Sequence, residues 1–393
     1  MNIQQIPVHR SGLLSYRRCR RQWWLQYAAQ PSQLEPDAPP APGHQGGITK
    51  REVAMALSTG SSFHLGAEHL CRICLTTSPT AEQVIEAMDL AGQDLLTRAA
   101  AGFHDAASEY WEYYKQEQYH LTRALVFVFA YRVLPMLLQQ YRFTAVESEL
   151  STPLGTGGLL LQGRIDATGE TADGAFPVLF SWKTAASFSD NDIARARTDD
   201  QGLSESYLRS KVDGHSVYAV HMVHMVKGQR RKDKDGVKRV SNVLVRPYQD
   251  PKSGELFTDY AAGKGGRRPV PIWEVSPHSH IGWLTHLLLT APDVLDKFWA
   301  SPGITPRTIA EAKEWVVGCE ADMTTAWMNA DLPKHLDDPL LQVLYPKERE
   351  SCFTFGGTCQ YAAICHESMR QPLSSGTYLL REPHHPDPNQ EEE

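Results

Sequence analysis

From Thr49 to about Tyr141 the apolar residues recur every three to four positions, a spacing that predicts three or more helices. One of them reads TGSSFHLGAEHLCRICL, with Thr59 or Ser61 as its cap. Ahead of this region, residues 10–30 mix aromatics with arginine and predict another helix, and the Pro-rich stretch from Pro31 to Pro42 reads as a loop. After Tyr141 the period changes. RFTAVESELST, GLLLQGRIDATG and FPVLFSWKTA are short, apolar-rich and separated by Gly, Pro and Asp, so they predict consecutive strands. A helix is expected around Ser204–Val226, then a basic turn, KGQRRKDKDGVKR, feeding the strand VSNVLVRPY. Residues 269–276 suggest a further strand, and two helices, around Ile281–Trp299 and Pro306–Met328, lead to a cysteine-containing segment. The expected organisation is a helical part over 1–141, an α/β core over 142–276, C-terminal helices with the cysteine segment over 277–380, and a Pro-rich acidic tail over 381–393 with the composition of a disordered segment.

Composition narrows the function classes. With 41% hydrophobic and 22% charged residues the 393-residue chain is globular in character. No stretch approaches about 18 uninterrupted apolar residues, and MNIQQIPVHRSGLL lacks the charged start and apolar run of a secretory signal. A cytoplasmic protein with no membrane partner is therefore expected. The net charge of -7 excludes nucleic-acid binding by bulk attraction, so any such contact must come from local patches. Two basic clusters offer them: Arg17, Arg18, Arg20 and Arg21 beside Trp23 and Trp24, and the turn from Lys227 to Arg239 with Arg230, Arg231 and Lys232. Cations interleaved with aromatics suit single strands, whose bases stack on rings. Lys264 to Arg268 forms a third, Gly-rich cluster.

Seven cysteines are an odd number for a disulfide framework. Cys352, Cys359 and Cys365 lie in SCFTFGGTCQYAAICH, beside glycines that let a loop wrap a ligand. A closed site needs a fourth thiolate, and Cys19 is the leading candidate. Four thiolates suit a [4Fe–4S] cluster or a structural Zn²⁺. Cys71 and Cys74 form a CxxC on an apolar helix with no second pair, and read as core.

The strand region carries the other chemistry. Asp166 ends the apolar run LLLQGRID, and Lys183 lies near the end of VLFSWKTA. Alternation along a strand puts Ser181 and Lys183 on one face, and likewise Glu147 with Glu149 on the preceding strand. Carboxylates that hold Mg²⁺ or Mn²⁺, next to an ammonium that orients a water, are what metal-assisted phosphodiester hydrolysis needs. His64 shares a helix face with Glu68.

In order along the chain these motifs resemble the RecB-like branch of the PD-(D/E)XK nuclease superfamily, which includes phage and CRISPR-adaptation exonucleases. SYRRCRRQWWLQY with its cysteine comes first, then Gly60 to His64 as a GxxxH helix, the GRID strand with Asp166, the WKT strand with Lys183, a helix carrying Tyr218, and the triple-cysteine segment. The resemblance covers about residues 11–366. It implies an α/β fold with a central mixed sheet flanked by helices, a catalytic Lys183, and a Mg²⁺ or Mn²⁺ site using His64 and Asp166. It also implies a [4Fe–4S] cluster on Cys19, Cys352, Cys359 and Cys365, with DNA as the partner. Two positions depart from the family pattern. Ser181 stands where Asp or Glu is expected, and the residues before Tyr218 are Asp213, Gly214 and His215 where a glutamine is expected. Either another carboxylate replaces the missing ligand, Glu149 first and then Glu147, or the site is impaired. The two resulting expectations are a metal-dependent DNA exonuclease or endonuclease of recombination, repair or phage DNA processing, and a catalytically impaired DNA-binding or assembly subunit of a larger complex, for instance beside a helicase.

Overall fold

A computed structural model describes residues 6–38, 46–50, 55–102, 109–155, 158–228, 230–232, 238–240, 243–250, 252–256, 268–356, 359–367 and 369–381. The chain divides into two compact units, neither continuous in sequence: residues 1–52, 151–163 and 310–393 make one, and residues 53–150 and 164–309 the other.

The first unit is assembled from both ends of the chain. Strand Ile6–His9 pairs in parallel with residues 159–162. The helix expected over residues 10–30 is broken at Cys19, whose backbone is extended (φ -157°, ψ 108°), so that Arg10–Arg18 ends there and Arg20–Trp23 begins. The Cys19 sulfur accepts the N–H of Gln22, capping the second piece. A wider π turn then runs over Trp24–Ala28. Trp23 and Trp24 are buried, and Trp23 stacks on Tyr345 with ring centroids 6.0 Å apart, so this pair is packing. The Pro-rich loop is partly regular: Pro31–Leu34 forms one helical turn with proline at its start, where a missing N–H costs nothing.

The second unit holds the remaining sheet. We label the main elements α1 (Met55–Ile73), α2 (Ala81–Gly102), α3 (Glu109–Val128), β1 (Tyr141–Leu154), β2 (Leu159–Thr171), β3 (Pro177–Ala185), α4 (Asp190–Thr198), α5 (Asp200–Asp213), β4 (Val217–Val226), α6 (Pro277–Thr290) and β5 (Ile304–Thr308); the end of β1 and the start of β2, within residues 151–163, belong to the first unit. β1 pairs with β2, β2 runs antiparallel to β3, β3 parallel to β4, and β4 antiparallel to β5, giving a mixed sheet. On one face Phe180, Trp182, Val223 and Met225 pack with Phe63 of α1, Met88 of α2 and Leu125 of α3. On the other Leu179, Val220 and Met222 pack with Ala196 of α4. This is an α/β architecture with a central mixed sheet flanked by helices, as expected.

Several boundaries differ from expectation. Residues 217–226 are a strand and not a helix: Gly214 adopts a left-handed conformation (φ 76°) that ends α5, and VYAVHMVHMV continues as the buried parallel partner of β3. In place of a strand over 269–276, Arg268–Pro269 is a two-residue strand and a 3-10 turn follows at Ile272–Glu274. VSNVLVRPY is largely turns, with strand only at its two ends among the described residues. α6 begins four residues earlier than expected and stops at Thr290. The helical stretch Glu112–Gln140 is long and apolar enough to cross a membrane, yet 72% of its apolar window is packed inside the molecule, so it serves as a core helix.

Candidate active site

Asp166 anchors the site from β2. Its Oδ2 accepts the backbone N–H of Trp182 at 2.7 Å, which ties the carboxylate to β3, and its Oδ1 lies 3.3 Å from Nδ1 of His64 on α1. Burial alone would push this carboxyl up. The imidazole beside it, Lys183 and the Trp182 N–H more than offset that and hold it below the usual carboxylate range. α1 reaches this depth because Gly60 has no side chain: a Cβ there would come 2.9 Å from Thr184 Oγ1 on β3. The GxxxH spacing thus has a physical cause, since a close helix–strand approach one turn ahead of His64 lowers the imidazole onto Asp166.

Glu147 completes the group. One donor atom from each of His64, Glu147 and Asp166 lies within 4.8 Å of the other two. Glu147 is the one non-glycine residue with positive φ (50°) among the described residues, a sparsely populated conformation that interrupts the alternation of β1. The interruption turns its carboxylate inward, to 5% exposure. Burial, then Asp166, push its carboxyl up to about 7, against the downward pull of Arg164. Glu149, placed ahead of Glu147 by the sequence, is exposed and lies outside the group, because the irregular backbone at Glu147 separates the two. A buried carboxylate pair with one imidazole fits a divalent cation in donor chemistry, and the charge such an ion brings is what two neighbouring buried carboxylates lack.

Lys183 and Ser181 project from the same face of β3, opposite Phe180 and Trp182. Lys183 is near enough to Asp166 that its charge favours the ionised carboxylate. Its register partner on β4 is His224, which burial and the Lys183 charge hold below the ordinary imidazole range. Ser181 is wholly buried. Its Oγ accepts a hydrogen bond from Gln201 Nε2 at 2.9 Å, and Gln201 also donates to Glu205 Oε1 at 2.5 Å. Gln201 sits in the first turn of α5, with Tyr207 following on the same helix. A glutamine followed by a tyrosine on one helix thus occurs earlier in the chain than the residues before Tyr218. The helix begins at Asp200 and not near Ser204: Asp199 is its N-cap, with the side chain accepting from the Gln201 N–H. Tyr218 itself is buried on β4, its hydroxyl donating to Asp213, and offers no surface to a nucleic acid.

The basic patches are placed unevenly. Arg17 pairs with Asp322 at 2.8 Å, Arg20 covers the Tyr16 ring, and Arg18 is exposed. Arg21 does not face solvent: it is buried and donates to the carbonyl oxygens of Tyr345 and Leu341, each at 2.8 Å. The side chains of Arg230, Arg231 and Lys232 lie outside the described residues, as does most of the Lys264–Arg268 cluster.

None of the seven cysteines is joined to another in a disulfide. Cys19, Cys352, Cys359 and Cys365 belong to the first unit and are electrostatic neighbours, Cys19 of each of the other three. No three of them fall within 4.8 Å of one another. The Cys359 N–H donates to the Cys352 carbonyl at 2.7 Å, and Cys352 Sγ lies 3.3 Å from His366 Nε2. Burial raises the Cys365 thiol to about 11, while Arg21 and Lys347 act in the opposite sense. Cys71 is buried and Cys74 partly buried on α1, as core residues.

Compared with known proteins, residues 10–366 match the family model described as the PD-(D/E)XK nuclease superfamily. No curated protein matches the chain.

Proposed function

The chain belongs to the PD-(D/E)XK nuclease superfamily, and from that premise we propose that it is a metal-dependent deoxyribonuclease, exonucleolytic on DNA ends, with a [4Fe–4S] cluster in its first unit. The single observation that carries the catalytic part is the convergence of His64, Glu147 and Asp166 within 4.8 Å, with Lys183 beside Asp166. Those three side chains would hold Mg²⁺ or Mn²⁺. Such an ion supplies Lewis acidity to a scissile phosphate and lowers the pKa of a bound water.

The protein's own groups do the rest. The Trp182 N–H fixes the Asp166 carboxylate in one orientation, so its free oxygen faces His64. Lys183, next to that carboxylate, is placed to orient an attacking water and to hold charge at the reacting phosphate. Gln201 fixes the Ser181 hydroxyl, filling with neutral hydrogen bonds the position where the family carries an acid. Glu147 contributes the second carboxylate from a different strand.

Support for the cluster is chemical. Cys19 brings the N-terminal segment against the three C-terminal cysteines, and Arg21, buried beside Cys19 and Cys365 and donating to the carbonyls of Tyr345 and Leu341, is a cation suited to balance thiolates. Tetrahedral Zn²⁺ would bring its sulfurs to about 3.8 Å, given Zn–S bonds of about 2.3 Å. The wider arrangement favours a multi-iron cluster over Zn²⁺, and with it a reducing compartment, the cytoplasm.

One observation favours a second reading, a DNA-binding or assembly subunit without activity: Ser181 is wholly buried and cannot act as a hard anionic ligand. End-labelled linear DNA and closed circular DNA, incubated with anaerobically purified protein and Mn²⁺, separate the two. Degradation from ends, absent in Lys183→Ala, is expected. Tight DNA binding without cleavage by metal- and cluster-loaded protein would establish the second reading.

A further inference from the structure

Arg164 lies two residues before Asp166 on β2, at the rim of the proposed metal site. Its Nε is 2.6 Å from Glu147 Oε2, and the pair is unequal: the arginine side chain is 48% exposed, the carboxylate 5%. The contact is one of charge alone, because that oxygen has no hydrogen bond of acceptable alignment. A guanidinium held this way to a buried carboxylate is doing part of what a metal cation does, since it lowers the cost of the Glu147 charge beside Asp166.

We propose that Arg164 is an exchangeable counter-cation: it covers Glu147 while no divalent ion is bound, yields that carboxylate when one binds, and then presents its guanidinium to a DNA phosphate at the rim. This rests on the reading of His64, Glu147 and Asp166 as a divalent-metal site. Three physical points carry it. A dication and a guanidinium compete for one carboxylate and repel each other, so binding of the first weakens the second. Arg164 loses little on release, being already half in water, and its contact with Glu147 Oε2 is not an aligned hydrogen bond. Its planar fork matches two phosphate oxygens better than it matches its present single contact. The consequence is positive coupling between divalent ion and DNA, which must be reciprocal.

The test measures binding, not turnover. Mn²⁺ affinity in the absence of DNA is read by titration calorimetry on the cluster-loaded protein, for wild type, Arg164→Gln, Arg164→Lys, Glu147→Gln and Asp166→Asn. Arg164→Gln should bind Mn²⁺ more tightly, by about fivefold, the worth of one partly exposed ion pair, and Arg164→Lys, which keeps the charge, should stay near wild type. With Ca²⁺ as a non-cleaving probe ion, wild type should gain affinity for a short DNA duplex, and Arg164→Gln should lose most of that gain. Unchanged or weaker Mn²⁺ binding by a folded Arg164→Gln protein, or a Ca²⁺-linked DNA gain that survives the substitution, would overturn the proposal. If Glu147→Gln and Asp166→Asn bind Mn²⁺ as wild type does, the metal site itself is wrong, a separate failure.

Discussion

Gln201 Nε2 donates to Ser181 Oγ across 2.9 Å, joining the first turn of α5 to the strand position where a nuclease of this superfamily carries an acid. The same amide donates to Glu205 Oε1, so one side chain serves a buried hydroxyl and one oxygen of a buried carboxylate. Replacing Gln201 by Ala removes both hydrogen bonds, at a cost of about 1–3 kcal/mol. Urea unfolding midpoints of wild type and Gln201→Ala measure it, and equal midpoints would show that the link carries no stability.

Lys183 and Asp166 should fail differently. Asp166→Asn removes a buried carboxylate from the donor group and should weaken Mn²⁺ binding by tenfold or more. Lys183→Ala leaves the donors in place, and should cut cleavage by about 10²–10⁴-fold while Mn²⁺ affinity falls little. Calorimetry beside single-turnover cleavage separates the two effects, and a parallel loss of metal binding in Lys183→Ala would contradict the division of roles.

An imidazole among the donors shifts the metal preference. Mg²⁺ keeps to oxygen and near-ideal octahedral geometry, whereas Mn²⁺ accepts nitrogen readily. Cleavage at equal ion concentrations should be faster with Mn²⁺, and His64→Asp, which makes the set all oxygen, should narrow the difference. The ratio of the two rates in each protein is the readout.

Much of this site was legible in the chain. Gly60, His64, Asp166 and Lys183 stand in motifs whose order alone suggested the family, and the change of period after Tyr141 located the strands. What stayed hidden depends on single backbone conformations. The left-handed Gly214 divides α5 from β4, and without it VYAVHMVHMV joins the preceding helix, because a short buried apolar run has no period to distinguish it. The start of α5 before Ser204 places Gln201 on the helix, outside the span expected from the sequence. The positive φ of Glu147 likewise breaks the two-residue alternation that ranked Glu149 first. Arg21 looked like part of a basic patch, and only packing shows it to be buried under Tyr345 and Leu341.

Acid sensitivity is expected from a second buried pair. His120 and His280 lie ring to ring, 4.6 Å between centroids, with His280 Nε2 2.6 Å from the Leu244 carbonyl oxygen. Burial holds both imidazoles far below their ordinary value, His120 at about 3. Folded, they stay neutral; unfolded, they take up protons below about pH 6.5, so stability present at pH 7 is lost as pH falls through that value toward the folded one. Each contributes up to about 1.4 kcal/mol per pH unit in that window. Unfolding midpoints at pH 7 and pH 5 should differ more for wild type than for His120→Phe, and equal differences would exclude this source.

The cysteines predict a colour and a coupling. Protein purified without oxygen should be brown and contain iron and sulfide, and Cys19→Ser should lose both and destabilise the N-terminal segment. A colourless wild-type protein with stoichiometric zinc would reverse the assignment.

The central claim is that His64, Glu147 and Asp166 hold the ion that cleaves DNA. It is met most directly by Mn²⁺-dependent degradation of end-labelled DNA, measured for wild type and for Glu147→Gln of matched fold and cluster content. Degradation by wild type that falls by at least a hundredfold in Glu147→Gln, on the order expected for loss of a catalytic group, is the predicted result. Equal degradation by both proteins would place the chemistry elsewhere.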